Sequence, residues 1–243
     1  MRNPPDFSSI TAVLFDWDFT LAYSLGLGVS HTARTAVLFQ TYGVKCTEAD
    51  LTAVQTSLTA DIANGTVAGP LRPQKKREII RLYQELLRRL GHPDSSYEFA
   101  YNIYAGYALL PHCLFADVLP TLQNLQERNL LLGILSNHSA SVGRTIALIL
   151  GDIIPSKRVT ISEEIGVHKP RKTIFRRAAG KLRQNPATCL YIGDNLQVDA
   201  IAAVQQGGYA AGIWIDRSGQ KAPKSLPKNV YRITNLTQLI LLF

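Results

Sequence analysis

Cysteine is scarce in this chain: Cys46, Cys113 and Cys189 are the only three in 243 residues, odd in number and far apart. That scarcity excludes a disulfide framework and a thiolate zinc site, leaving reduced thiols as the plain expectation. His31, His112, His138 and His168 are scattered without the spacing of zinc ligands. Long hydrophobic runs are also missing, for no stretch nears the roughly 18 apolar residues that a membrane span requires. Ile10 to Phe15 is too short, and too soon followed by Asp16, to form a signal-peptide core. A cytoplasmic protein without a membrane partner is expected. No internal repeat, low-complexity tract or RNA-binding aromatic motif is present, so nucleic acid is not the expected partner. The net charge of +8 favours anionic ligands without naming one.

What is present is enough apolar residue, 46% of the chain, to build a substantial core. Short apolar runs of strand length lie at Ile10–Phe15, Leu130–Leu135, Arg158–Ile161, Cys189–Ile192, Ala210–Ile215 and Val230–Ile233. Continuous rather than alternating hydrophobicity suits parallel strands covered on both faces. Helix-like stretches separate them: Asp117–Arg128, Ser139–Leu150, Lys172–Arg183, Val198–Gln206 and a terminal Leu236–Leu242. Regular alternation of strand and helix predicts an α/β fold with a doubly wound parallel sheet.

Between residues 22 and 110 the rhythm breaks, with no strand-like run. Helices are expected instead at Thr32–Tyr42, Glu48–Ile62, Gln74–Leu90 and Ser96–Leu109. The third carries Ile79, Tyr83, Leu86, Leu87 and Leu90 on one stripe. The division expected is a core of residues 1–21 and 111–243 with an inserted all-helical cap at 22–110.

Two acidic clusters stand almost a protein apart: Asp16, Asp18 and Thr20 after the first strand-like run, and Gly193, Asp194 and Asp199 after the fourth. Strand ends are where open α/β sheets keep their active sites. Between them lie Ser136-Asn137, after another strand, and Lys169-Pro170. These four ordered pieces resemble the haloacid dehalogenase (HAD) superfamily over nearly the full length. The resemblance is to its phosphatase-like branch, with a Rossmann-like core and a helical cap inserted after the first motif.

Elementary chemistry gives the residues tasks. Asp16 and Asp18, two apart on an extended chain, would point to one side of the sheet. A buried carboxylate pair repels itself, and a hard divalent cation such as Mg2+ resolves the conflict. The resemblance implies that Asp16 and Asp194 bind it through carboxylates and Asp18 through its backbone carbonyl. Asp16 is the candidate nucleophile, forming an aspartyl phosphate. Asp18 is the candidate acid and base. Phosphoryl transfer calls for positive charge and donors around the phosphoryl oxygens, with Ser136 and Lys169 as suppliers and Asn137 adding a backbone N–H. Ser136 also reads as a helix N-cap, and Thr20 as a loop hydroxyl bonding backbone or, by resemblance, as a residue ordering its motif. Asn195 and Asp199 are expected behind the metal ligands, Asp199 holding Lys169 or a metal-bound water. His138 and His168 neighbour motif residues.

Phe19 departs from the pattern, since the family usually has a glycine or another small or polar residue there. A left-handed backbone at Phe19 is therefore not expected. Arg171 replaces a frequent acidic residue. In the cap, Gly69–Arg72 forms part of a loop, and Arg72 is a candidate contact for a second anionic group. The function expected is Mg2+-dependent hydrolysis of a small phosphorylated metabolite, in the manner of a phosphoglycolate phosphatase. A phosphomutase resembling β-phosphoglucomutase, and a binding protein that keeps the fold without turnover, remain alternatives.

Overall fold

The computed structural model describes residues 7–24, 30–71, 73, 75–106, 110–217, 219 and 223–243. Two compact units divide the chain, Met1–Tyr23 with Cys113–Phe243, and Ser24–His112. The second unit is helical: α1 (His31–Thr41), α2 (Glu48–Ala63), α3 (Lys76–Arg89) and α4 (Tyr97–Gly106). Local chemistry sets its helix starts. Ser30 caps α1 by accepting from the Ala33 amide, and Thr47 with Asp50 forms a capping box on α2. Leu38, Phe39, Leu51, Leu58, Ile80, Leu86, Leu87 and Ile103 form its interior. Ile80, not Ile79, takes the fully buried place on α3, while Ile79 packs at the margin. Arg89 ties α3 to α2 through Asp61 at 2.7 Å. Gln74 and Arg72 lie outside the described residues, so the sequence assignments there stand apart from the structure.

In the other unit β1 (Ala12–Phe15) leads to a short strand, β2 (Ala22–Ser24), which pairs with β3 (His112–Leu114). β2 corrects the expectation of no strand between residues 22 and 110. Three residues are too few to display a hydrophobic period. The remaining strands are β4 (Leu131–Ser136), β5 (Val159–Ile161), β6 (Cys189–Gly193), β7 (Ala211–Ile215) and β8 (Val230–Ile233). With β1 they form one sheet, all parallel, in the order β5-β4-β1-β6-β7-β8. The chain therefore winds outwards from β1 in both directions.

Helices cover both faces. α5 (Val118–Glu127), α6 (Val142–Leu150) and a 3-10 turn at Leu236–Leu241 pack on the face that carries Val13, Phe15, Leu132, Ile134, Leu190 and Ile192. A one-turn α7 (Ser162–Ile165) precedes α8 (Lys172–Lys181). α8 packs on the opposite face, against Leu14, Leu135 and Tyr191. The segment expected as a helix from Val198 is wound more loosely, as π-helical turns at Leu196–Ile201 and Ala203–Gly207. It lies so close to the sheet that a Cβ on Gly212 of β7 would stand 2.0 Å from the Ala200 carbonyl oxygen. Asn129, at φ 62°, closes α5 in the left-handed conformation that asparagine tolerates.

Gly212→Ala therefore presses a methyl group into backbone that cannot rotate away. It should cost about 1–3 kcal/mol, read as a lower urea midpoint at unchanged m-value. An unshifted midpoint would mean that the segment can move off the sheet.

Candidate active site

Three neighbouring parallel strands deliver the acidic and hydroxyl groups. β1 ends at Phe15, in register with Ile134 of β4 on one side and Ile192 of β6 on the other. Asp16 follows β1, Ser136 ends β4, and Asp194 follows Gly193 at the end of β6. This is the point where strand order diverges, the usual ligand crevice of such sheets. Ser136 is buried in the last position of its strand, and α6 is preceded by Ser141 instead, so the helix-cap reading of Ser136 fails.

Lys169, on the loop between α7 and α8, is only 5% exposed. Its ammonium lies 2.7 Å from Asp199 Oδ1 and 3.0 Å from Asp16 Oδ1, and it donates to the Tyr191 hydroxyl at 2.8 Å. That hydroxyl donates in turn to the Leu135 carbonyl at 2.6 Å. Asn137 holds the same loop through its side chain: Nδ2 donates to the Lys169 carbonyl at 3.0 Å, and Oδ1 accepts from the Lys169 amide at 2.8 Å. Asp199 has both oxygens engaged, since Oδ2 accepts from the Asn195 amide at 3.0 Å. The Asn195 side chain caps the π-helical segment by accepting from the Gln197 and Val198 amides. Gly193 is required here, because a Cβ on it would lie 2.4 Å from Asp199 Cγ.

The turn after Asp16 corrects the expectation about Phe19. Its φ is 57°, in the left-handed region. Three hydrogen bonds within the turn accompany it: Phe19 N donates to Ala22 O at 2.7 Å, and the Leu21 and Ala22 amides both donate to Trp17 O, at 3.0 and 2.9 Å. An aromatic side chain pays roughly 1–2 kcal/mol for that conformation. Thr20 is fully buried, and its hydroxyl oxygen has no hydrogen-bond partner among the described residues. It is therefore not the backbone-bonding loop hydroxyl that the sequence allowed. Asp18 is partly exposed, with Oδ2 3.7 Å from the buried His138 Nε2.

Charge is unevenly matched. Burial pushes the Asp16 carboxyl up to about 6 against the pull of Lys169. Asp194 is driven further, to about 8, by burial and then by Asp16 and Asp199. Burial alone would lower Lys169, yet the Asp16 and Asp199 carboxylates outweigh it and hold the ammonium above its ordinary value. Asp16, Asp194 and Asp199 each present an oxygen within 4.8 Å of the others. Surplus negative charge on hard oxygen donors is what a divalent cation of the Mg2+ type suits. With Asp199 occupied by Lys169 and Asn195, Asp16 and Asp194 are the carboxylates left to hold one.

Sequence reasoning missed two supporting residues. Tyr191 carries the one polar tip in the apolar run of β6, a signal that it needs a partner when buried. Trp214 donates from Nε1 to the Asp194 carbonyl at 3.0 Å; nothing local to Ala211–Ile215 announces that contact.

Residues 10–207 match the model of the haloacid dehalogenase-like hydrolase family. A glyceraldehyde 3-phosphate phosphatase from Methanopyrus kandleri is 30% identical over 205 residues, covering 82% of this chain and 81% of its own. A phosphoserine phosphatase from Thermus thermophilus is 28% identical over 151 residues, covering 62% of this chain and 56% of its own. Among solved structures, the HAD-hydrolase YfnB from Bacillus subtilis, bound to magnesium, superposes with a TM-score of 0.69 at 18% identity, covering 95% of this chain and 96% of its own. The chain belongs to the haloacid dehalogenase-like hydrolase family.

An acid whose pKa rises on folding holds its proton more tightly in the folded state, so its ionisation opposes folding once the pH passes the unfolded value. For Asp194 that window runs from an ordinary 3.8 to about 8. In buffer free of divalent cations, Asp194→Asn should melt several degrees above the parent at pH 8 and together with it near pH 4. Calorimetry showing the variant melting lower at pH 8 would contradict this electrostatic picture.

Proposed function

We propose that this chain hydrolyses small phosphate monoesters in two displacements, with Asp16 as nucleophile and Asp18 as acid and base. The observation that carries the reading is Lys169, whose buried ammonium faces Asp16 and Asp199 together beside the Asp194 carboxylate. An oxygen of ionised Asp16 attacks phosphorus, the bond from phosphorus to the ester oxygen breaks, and Asp18 gives that oxygen its proton. Water then attacks the aspartyl phosphate while Asp18 takes up a proton, which releases phosphate and restores Asp16. With its carboxyl at about 6, Asp16 is largely ionised at neutral pH.

Lys169, Ser136 and the Asn137 amide supply positive charge and donors to the phosphoryl oxygens. Asn137 and Tyr191 keep Lys169 in place, and Asp199 orients it. Mg2+, held by the Asp16 and Asp194 carboxylates and the Asp18 carbonyl, would neutralise charge on the transferred group. The two curated relatives are named for three-carbon phosphate monoesters, which supports a small metabolite phosphate as substrate. No helix among the described residues is long and apolar enough to cross a membrane. The three cysteines are unpaired, in keeping with work in the cytoplasm.

Phosphate release should be measured from a panel of small sugar phosphates, phosphoserine, phosphoglycolate, nucleotides and pyrophosphate, with and without Mg2+. Asp16→Asn should lose at least about 1,000-fold in kcat while keeping its circular dichroism and melting transition. A folded Asp16→Asn variant with parental turnover would refute the mechanism.

A further inference from the structure

Two residues beyond the end of β7, Arg217 makes a junction that the chemistry above does not use. Its guanidinium donates twice to the Thr20 carbonyl, from Nε at 3.2 Å and from Nη2 at 2.8 Å. The same group forms a two-pronged pair with Asp117, Nη1 to Oδ2 at 3.0 Å and Nη2 to Oδ1 at 2.9 Å. Its carbon lies 3.8 Å from the centre of the Phe115 ring. Asp117 Oδ2 also accepts from the Leu236 amide at 2.8 Å. Arg217 is thus held between the Thr20 carbonyl, an aromatic face and Asp117, which is itself fixed by the start of the terminal 3-10 turn. Only 13% of its side chain and 6% of that of Asp117 reach solvent.

Thr20 closes the turn that begins at Asp16. The hydrogen bonds that accompany the left-handed shape of Phe19 run within that turn, and would travel with it if it shifted. A strained residue persists where the surroundings over-determine it. At its start the turn is anchored by the Asp16 amide, which donates to Ile192 O at 2.8 Å. At its other end the Phe115 amide donates to Leu21 O at 3.1 Å, and Arg217 grips the Thr20 carbonyl; the Thr20 hydroxyl oxygen has no hydrogen-bond partner among the described residues.

We propose that Arg217 is a positioning residue for the turn bearing Asp16 and Asp18, acting through the Thr20 carbonyl to hold Phe19 in its strained conformation. This rests on the reading that those two aspartates perform the phosphoryl transfer. Lysine cannot replace it, because a single ammonium on a flexible stem cannot meet Asp117 two-pronged, lie flat on Phe115 and reach Thr20 at once.

The test uses p-nitrophenyl phosphate with Mg2+ and compares the parent, Arg217→Lys, Phe19→Gly, the Phe19→Gly/Arg217→Lys double variant, Asp117→Asn and Asp16→Asn, each with its melting curve. Arg217→Lys should lower kcat about tenfold with KM within about twofold, a loss confined to the transition state. In the Phe19→Gly background, where glycine accepts positive φ freely, the same change should cost less than about threefold. Parental kcat in folded Arg217→Lys overturns the proposal, and so does an equal loss in both backgrounds. If Arg217→Lys does not fold, Asp117→Asn decides. It weakens the two-pronged pair that holds the guanidinium against Thr20, so it should lower kcat about threefold with KM unchanged; parental kcat in folded Asp117→Asn overturns the proposal. Activity in Asp16→Asn would instead sink the phosphoryl-transfer reading, whatever Arg217 does.

Discussion

Lys169 brings one positive charge into a buried space where Asp16, Asp194 and Asp199 converge. Burying an ion pair is costly unless its remaining donors and acceptors are also met. Tyr191 meets that demand for the ammonium, and the Asn195 amide does so for Asp199. One cation cannot balance three carboxylates. The remaining repulsion appears as the upward displacement of Asp16 and, more strongly, Asp194. The site is therefore built with a deficit of positive charge, the kind of imbalance that a divalent cation would relieve.

The fold makes this crowding possible by supplying it from rigid pieces. β1, β4 and β6 are hydrogen-bonded neighbours, so residues at their ends are separated by strand spacing rather than by loop length. Gly193 lets Asp199 come against the β6 backbone, closer than any side chain would permit. Trp214 and Arg217 work from behind, each binding a main-chain carbonyl of an acidic turn, Asp194 in one case and Thr20 in the other. The backbone of both acidic turns is thus held by side chains other than the aspartates themselves.

Much of this was legible in the sequence, for physical reasons that differ from element to element. Strands buried on both faces must be apolar throughout, so the runs at Ile10, Leu130 and Cys189 declared themselves. Asp16, Ser136, Lys169 and Asp194 were visible because acidic, hydroxyl and ammonium groups follow such runs in order. Phe19 misled because residue type argues against positive φ, whereas the tight turn and what anchors it decide the backbone there. The loosely wound turns after Leu196 show the same helical pattern as an α-helix, and β2 and β3 are too short to show any. Arg217 and Thr20 are 197 residues apart, a separation at which no local periodicity survives.

The six-stranded sheet is open, so β5 and β8 form its borders. Bare borders of that kind invite another chain to add a strand. Here β5 is three residues long, follows Lys157 and Arg158, and has its Val159 carbonyl taken by the Lys181 ammonium. β8 is four residues long, and its Arg232 is paired with Asp216. A neighbouring molecule seeking to extend the sheet would find only three residues to pair with on one flank and four on the other, too few for a lasting added strand.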